Sequence, residues 1–223
     1  SERCAKLRNL VSSTQDGRMK LSTSTEDMMA DAPKTFVQLA ERYPTLEGQF
    51  GRPKSVAFSP LLSQMGIAGL YFPFTGEVNI NTEFPECTLP FNVHHEIAHQ
   101  LGYAHEDEAN FLAYLSCTSS QRIDVRYSGN LIALRYVLMD MARFDVELAK
   151  KQYAELAGGV RRDIASIDSW YEKHEGWLRT LSVNMNNLFL KANGQSEGVL
   201  GYTRVVDLLI ADWRNPLPRT LFD

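Results

Sequence analysis

His95 and His99 stand four residues apart, and Glu96 follows the first of them, in the segment His95-Glu96-Ile97-Ala98-His99. On a helix, positions four apart lie one turn apart on the same face. Two imidazoles so placed can share one Zn²⁺ through ring nitrogens at about 2.0–2.1 Å. A carboxylate next to the first ligand projects beside the metal, where it can take a proton from a water the metal activates. The spacing therefore predicts a hydrolytic zinc site with Glu96 as general base. The plainer reading is a pair of histidines on a polar helix face. Three features weigh against it. Pro90 suits a helix start and Gly102 a helix stop. Ile97, Ala98 and Leu101 form an apolar flank that would bury the segment. Candidates for a third ligand follow at once, in His105 and Glu106.

His95, His99 and His105 fit the metzincin spacing HExxHxxGxxH, in which the glycine turns the chain so that the last histidine reaches the metal. Glu106 is the rival. The run Glu106-Asp107-Glu108-Ala109-Asn110 resembles the second zinc helix of the gluzincins. There a glutamate binds zinc, and an acidic residue four positions on hydrogen-bonds a ligand histidine; here that position is Asn110. Asn110 can do this through its amide oxygen, without a charge. A metzincin also needs a methionine turn, and the nearest candidates, Met139 and Met141, fall on predicted helix. Both points favour Glu106. Against it, only six residues separate it from His99, so His105 stays open.

Other residues have a functional and a plainer reading side by side. Gly69–Phe74 or Glu77–Asn81 could be the edge strand on which an extended substrate docks by strand addition, or a plain hairpin. Tyr202, with Arg204 behind it, is the candidate donor to an oxyanion formed when water attacks. Its alternative is a tyrosine packed at a helix start. His174 reads as a hydrogen-bonded core residue rather than a ligand, and Trp170 and Trp177 as packing. His94 lies about 100° round the helix from His95 and should not share its metal.

The elements that must position these groups follow from the pattern. Thr25 to about Tyr43 reads as a helix with Met28, Met29, Ala32, Phe36 and Leu39 on its apolar side, ended by Pro44. Residues 54–58, 69–72 and 76–81 read as short strands, with Pro73 placing the second near a sheet edge. From residue 89 onward the pattern is helical: about 90–102, 106–117, 130–156, then one unbroken apolar stripe from Val160 to Leu188, and last about 203–213. A small sheet followed by many helices gives an α+β, predominantly helical class. We expect one domain over residues 1–223. Residues 1–89 would form a helix and sheet lobe, and residues 90–223 the histidine helix and a helical lobe.

Composition narrows the function classes. A chain of 223 residues with 23 basic and 27 acidic side chains carries net charge −4, which argues against a nucleic-acid footprint. Hydrophobic residues at 44% and charged residues at 22% suit a folded domain. Cys4, Cys87 and Cys117 are too few and too scattered for a disulfide framework or a CxxC zinc site. The longest apolar run, 66–74, is half a membrane span. The chain begins with Ser1 rather than Met, so membrane spans could precede it in the native protein.

Several segments together resemble one bacterial family of unknown function in the zinc metallopeptidase clan. They are Met65-Gly66-Ile67-Ala68-Gly69-Leu70-Tyr71-Phe72-Pro73-Phe74-Thr75-Gly76-Glu77, Leu89-Pro90-Phe91, His95 through Gly102 and Glu106 through Phe111. Tyr127-Ser128-Gly129 and Gly201 through Leu209 are similar to its later motifs. The resemblance implies a zincin fold, zinc held by His95, His99 and Glu106, and a catalytic Glu96. It also implies that this domain is the soluble part of a membrane-anchored bacterial protein. The expected activity is zinc-dependent hydrolysis of peptide bonds in a peptide or protein substrate. The alternative is a binding or scaffold protein that keeps the zincin fold with an idle or occluded zinc site. A groove reaching the metal would favour the enzyme.

Overall fold

The computed structural model describes residues 1–192 and 201–217, with side chains for 1–185 and 204–217. Ten α-helices and one three-stranded sheet occur among the described residues, so the chain is predominantly helical with a small mixed sheet. Helix α1 spans Glu2–Arg8 and α2 spans Thr25–Ala40. The Asp27 N–H donates to the Ser24 hydroxyl at 3.1 Å, which caps α2. Its buried face is the expected one: Met28, Met29, Ala32, Phe36 and Leu39. Strand β1 is Lys54–Ser55. Helix α3, Ser59–Met65, follows and ends on Gly66 at φ +71°, the left-handed conformation that glycine adopts freely.

Strands β2, Gly69–Phe72, and β3, Glu77–Ile80, form a hairpin. The sheet order is β1-β3-β2, parallel between β1 and β3 and antiparallel between β2 and β3. β2 is thus an edge, as Pro73 suggested. β3 is the middle strand, which removes Glu77–Asn81 as a candidate docking edge.

Helix α4, Leu89–Gln100, carries the two histidines and lies at the centre of the packing. It touches α2, both strands of the hairpin, α5 (Glu106–Ser119) and α6 (Ile123–Phe144). Val93, Ile97 and Ala98 are fully buried on it. The helix expected over 130–156 is instead α6 and a separate α7, Val146–Ala154. Asp145 breaks it: its backbone is extended, and its carboxylate accepts the Leu148 N–H at 2.9 Å to cap α7. The long stripe 160–188 is also two helices, α8, Gly158–Lys173, and α9, Trp177–Ala192. His174 ends α8, its Nδ1–H donating to the Trp170 carbonyl at 2.7 Å. Helix α10, Gly201–Arg214, packs on α5 and α6 through Val205, Val206 and Leu209.

The N-terminal segment crosses to the helical half. Arg8 pairs with Asp163 of α8, and the same carboxylate accepts the Tyr127 hydroxyl at 2.6 Å and the Met19 N–H at 2.7 Å. Each residue of Tyr127-Ser128-Gly129 has a structural task. Tyr127 holds Asp163. The Ser128 hydroxyl accepts the Phe91 N–H at 3.1 Å, in the first turn of α4, where helical N–H groups lack internal partners. A Cβ on Gly129 would fall 2.5 Å from the Cys117 Cβ, so only glycine lets α6 approach α5 this closely. No helix of the described residues is long and apolar enough to cross a membrane.

Candidate metal centre

Helix α4 turns His95 and His99 to the same side, and the first turn of α5 brings Glu106 to meet them. The two Nε2 atoms are 3.0 Å apart. Glu106 places one oxygen 3.5 Å from His95 Nε2 and the other 3.6 Å from His99 Nε2. Ligands at about 2.0–2.1 Å round a tetrahedral zinc stand about 3.3–3.4 Å from one another. The three separations bracket that value, so the donor set fits a zinc ion. One ligand atom from each residue lies within 4.8 Å of the others. The side chains are 15%, 17% and 39% exposed, so the cluster opens to solvent rather than being sealed.

The link between α4 and α5 makes this convergence possible. Gly102, at φ +96°, reverses the chain just past the end of α4. The Tyr103 carbonyl then returns to His99 and accepts its Nδ1–H at 2.7 Å. That bond commits Nδ1–H and turns Nε2 to the cluster, where a metal would take the place of its proton. The signal for it in the sequence was Gly102, read as a helix stop and as the turn glycine that would bring His105, not Glu106, to the metal. His95 Nδ1 is buried and meets no partner in full hydrogen-bond geometry among the described residues. Asn110, expected as the outer partner of a ligand histidine, lies beside the His95 ring without forming that bond. Its amide oxygen is held by the Tyr136 hydroxyl at 3.0 Å. Nothing in the sequence pointed to Tyr136, which lies on α6.

The charges favour a cation. Burial works against ionising Glu106, but the close imidazoles of His99 and His95 outweigh it and hold the carboxyl down to about 2. Burial also opposes charge on His99, but Glu106, Glu96 and the Tyr103 carbonyl lift it to about 9. His95 goes the other way: burial, reinforced by His99, pushes it down to about 4. A carboxylate thus faces two imidazoles of which one draws a positive charge into the cluster.

Glu96 is buried just beside this group. Burial pushes its carboxyl up to about 7, against the pull of His99 and of the nearby Tyr71 backbone. Strand β2 lies so close that a Cβ on Gly69 would fall 2.6 Å from the Glu96 Cγ. The sequence did not mark Gly69 or Tyr71 as partners of Glu96.

The remaining candidates fall as follows. His105 is exposed at the N-cap of α5 and is not in the cluster. His94 turns away, its Nδ1 2.7 Å from the Ser116 hydroxyl of α5, and burial holds it down to about 3. His174 is a hydrogen-bonded helix end, its ring tilted against Trp170 at 4.2 Å. Trp170 packs on Phe84 at 3.7 Å, whereas Trp177 is exposed rather than packed. Met139 and Met141 lie on α6, not on a turn. Tyr202 is in the first turn of α10, and its side chain lies outside the described residues. Arg204, two residues on, reaches 3.5 Å from Asp107, the neighbour of Glu106, so the start of α10 stands beside the first turn of α5.

Comparison with curated proteins and with solved structures returns no match. The family described as a protein of unknown function (DUF3810) matches residues 2–210, nearly the whole chain, and the chain belongs to that family.

Proposed function

We propose that the protein is a zinc-dependent peptidase with a zincin-like fold, its zinc held by His95, His99 and Glu106. The observation that carries this reading is the convergence of the donor atoms, the two Nε2 atoms 3.0 Å apart and one Glu106 oxygen 3.5 Å and the other 3.6 Å from them, with Glu96 buried beside the group. Three protein ligands leave a fourth position open, which marks a catalytic rather than a structural site. Bound there, zinc would supply a Lewis acid that polarises a carbonyl and makes water a nucleophile near neutral pH.

The chain's own residues supply the rest. The Tyr103 carbonyl orients the His99 imidazole, and Asn110 stands beside the His95 ring. Glu96 does not complete the ligand set; it takes a proton from the attacking water and passes it to the nitrogen of the leaving amine. The nearby backbone of Tyr71 and Gly69 keeps the Glu96 carboxylate in place while it does so. Partial exposure of all three ligands supports an enzyme over an occluded scaffold.

The test compares zinc-loaded wild type with zinc-loaded Glu96→Gln on a mixed peptide library. Glutamine keeps the shape and removes the base. The expected result is equal zinc content and a loss of hydrolysis at or above about 10²–10⁴-fold, because Glu96 serves twice. Hydrolysis by Glu96→Gln at the wild-type rate would remove Glu96 as the base. A zinc-loaded wild type that cleaves nothing would favour the scaffold.

A further inference from the structure

A cavity of about 150 Å³ opens between α2, α4 and the link from α5 into α6. Met28, Ala32 and Val125 give it an apolar floor, each no more than 3% exposed. His94 meets it from α4 and is 1% exposed. This histidine adjoins His95 in sequence but turns to the cavity rather than to the metal cluster. Asp31, Lys34 and Arg122 stand at the mouth, with the Lys34 ammonium 2.6 Å from the Asp31 carboxylate. A cavity of this volume holds a molecule the size of benzene, about six non-hydrogen atoms.

The polar lining is rich in donors that the protein does not use. Ser116 is fully buried, and its hydroxyl meets only His94 Nδ1, at 2.7 Å, among the described residues. A buried hydroxyl hydrogen needs an acceptor. Ser116 therefore donates to Nδ1, and the ring proton sits on Nε2. No described residue accepts that Nε2–H. Thr35 is 7% exposed and lines the cavity, and its hydroxyl also bonds to no described residue. Arg122 gives Nε and Nη2 to Asp124 at 3.2 and 2.8 Å, while its Nη1 stands 3.6 Å from Asp31, beyond hydrogen-bond reach. Against these donors the lining offers one carboxylate, Asp31, and Lys34 already neutralises it. Buried donors left without partners are costly, so a group that only accepts suits this wall.

We propose that the cavity binds a small carboxylate of about six non-hydrogen atoms. The carboxylate accepts from His94, Thr35 and Arg122, and a short hydrocarbon body lies on Met28, Ala32 and Val125. Inorganic phosphate would satisfy the donors but leave the apolar floor uncovered. A neutral alcohol would cover the floor but offer fewer acceptors and no charge for Arg122. The site is separate from the metal centre, and it stands whether or not the protein cleaves peptides.

The experiment titrates the full chain, with zinc added, and follows the ring-nitrogen resonances of its histidines. The probes are butyrate, which has the expected size, butan-1-ol and inorganic phosphate. The expected result is one butyrate per chain with a dissociation constant of about 1 mM, the His94 Nε2 signal moving with occupancy. Butan-1-ol and phosphate should each bind at least about tenfold more weakly. Thr35→Val keeps the shape, removes the hydroxyl and should weaken butyrate by about tenfold. Ala32→Leu fills the floor and should abolish binding. His99→Ala alters the metal cluster and should bind butyrate as wild type does, which separates this cavity from a carboxylate held at the zinc. Equal binding of butan-1-ol would make the cavity a plain apolar one, and equal binding of phosphate a plain anion site; either overturns the proposal. So does binding that survives in folded Ala32→Leu, that is unchanged in Thr35→Val or that is lost in His99→Ala. A His94 signal that stays still up to about fifty times the expected constant overturns it as well. If Ala32→Leu does not fold, Thr35→Val and the three probes on wild type decide.

Discussion

Gly69 and Glu96 meet so closely that a methyl group added to Gly69 would lie 2.6 Å from the Glu96 Cγ and 2.8 Å from a carboxylate oxygen. The glycine is a packing requirement of the candidate base, not of a turn. Gly69→Ala should displace the Glu96 carboxylate while leaving the three ligands untouched. Misplacing a catalytic group by about 1 Å can cost about 10²-fold in rate. We expect turnover to fall by that order with zinc content unchanged. The overpacking itself should cost about 1–3 kcal/mol of stability. Turnover and zinc content measured on the folded variant check this. A variant that loses zinc with its activity would show that Gly69 supports the ligands instead.

Glu106 and His105 are adjacent, but only Glu106 reaches the cluster. Glu106→Ala should weaken zinc binding severely, and His105→Ala should leave it as it is. Asn110→Ala should have an intermediate effect, about 10–100-fold in affinity, as expected for a group beside a ligand. Competition for zinc against a chromophoric chelator ranks the three. A stronger effect from His105→Ala than from Glu106→Ala would reverse the ligand assignment.

Asp163 is fully buried between Arg8, Tyr127 and the Met19 N–H. Removing one partner of a buried ion pair costs about 3–5 kcal/mol because a charge is left without compensation. Asp163→Ala strands Arg8 in this way. Tyr127→Phe removes one neutral donor and should cost about 1–3 kcal/mol. Urea unfolding should rank the two in that order, and both variants should still bind zinc, since the network lies apart from the metal cluster. Equal losses would mean that Arg8 finds another partner.

Asp124 sets an acid limit on stability. Burial resists its ionisation, but the Arg122 guanidinium and the Ser22 hydroxyl and N–H overcome this and hold it below the usual carboxylate range. A depressed carboxylate stabilises the fold fully above its unfolded value, about 3.9, and loses that contribution as pH falls through the lower folded value. Asp124→Asn should be less stable than wild type at neutral pH. Its stability should also fall less steeply as pH drops below about 4. Unfolding midpoints measured from pH 6 downward test both points. Parallel curves would mean that Asp124 titrates alike in both states.

Local features of the site were legible because each rests on a few adjacent residues. Pro90, Gly102 and the four-residue spacing of the histidines define α4, and Glu106 with Asn110 marks one face of α5. The hairpin showed itself through Pro73, Gly76 and the residues round them. What was not legible depends on distance along the chain. Nothing near Arg8 points to Asp163, which lies 155 positions away. Gly69 and Glu96 are likewise joined only by the fold. The helix breaks failed for a different reason. The apolar rhythm continues in phase from α8 into α9, so periodicity alone could not show that His174 ends one helix. At Asp145 the capping signal was present in the sequence but was outweighed by the apolar pattern on both sides.

The central claim is that His95, His99 and Glu106 hold one zinc ion. A crystal grown with zinc, with anomalous scattering collected on both sides of the zinc absorption edge, tests it most directly. The expected result is one strong peak per chain, present only above the edge, about 2.0–2.2 Å from Nε2 of His95, Nε2 of His99 and a Glu106 oxygen. No peak at that point, or a peak held by His105 in place of Glu106, would contradict the account.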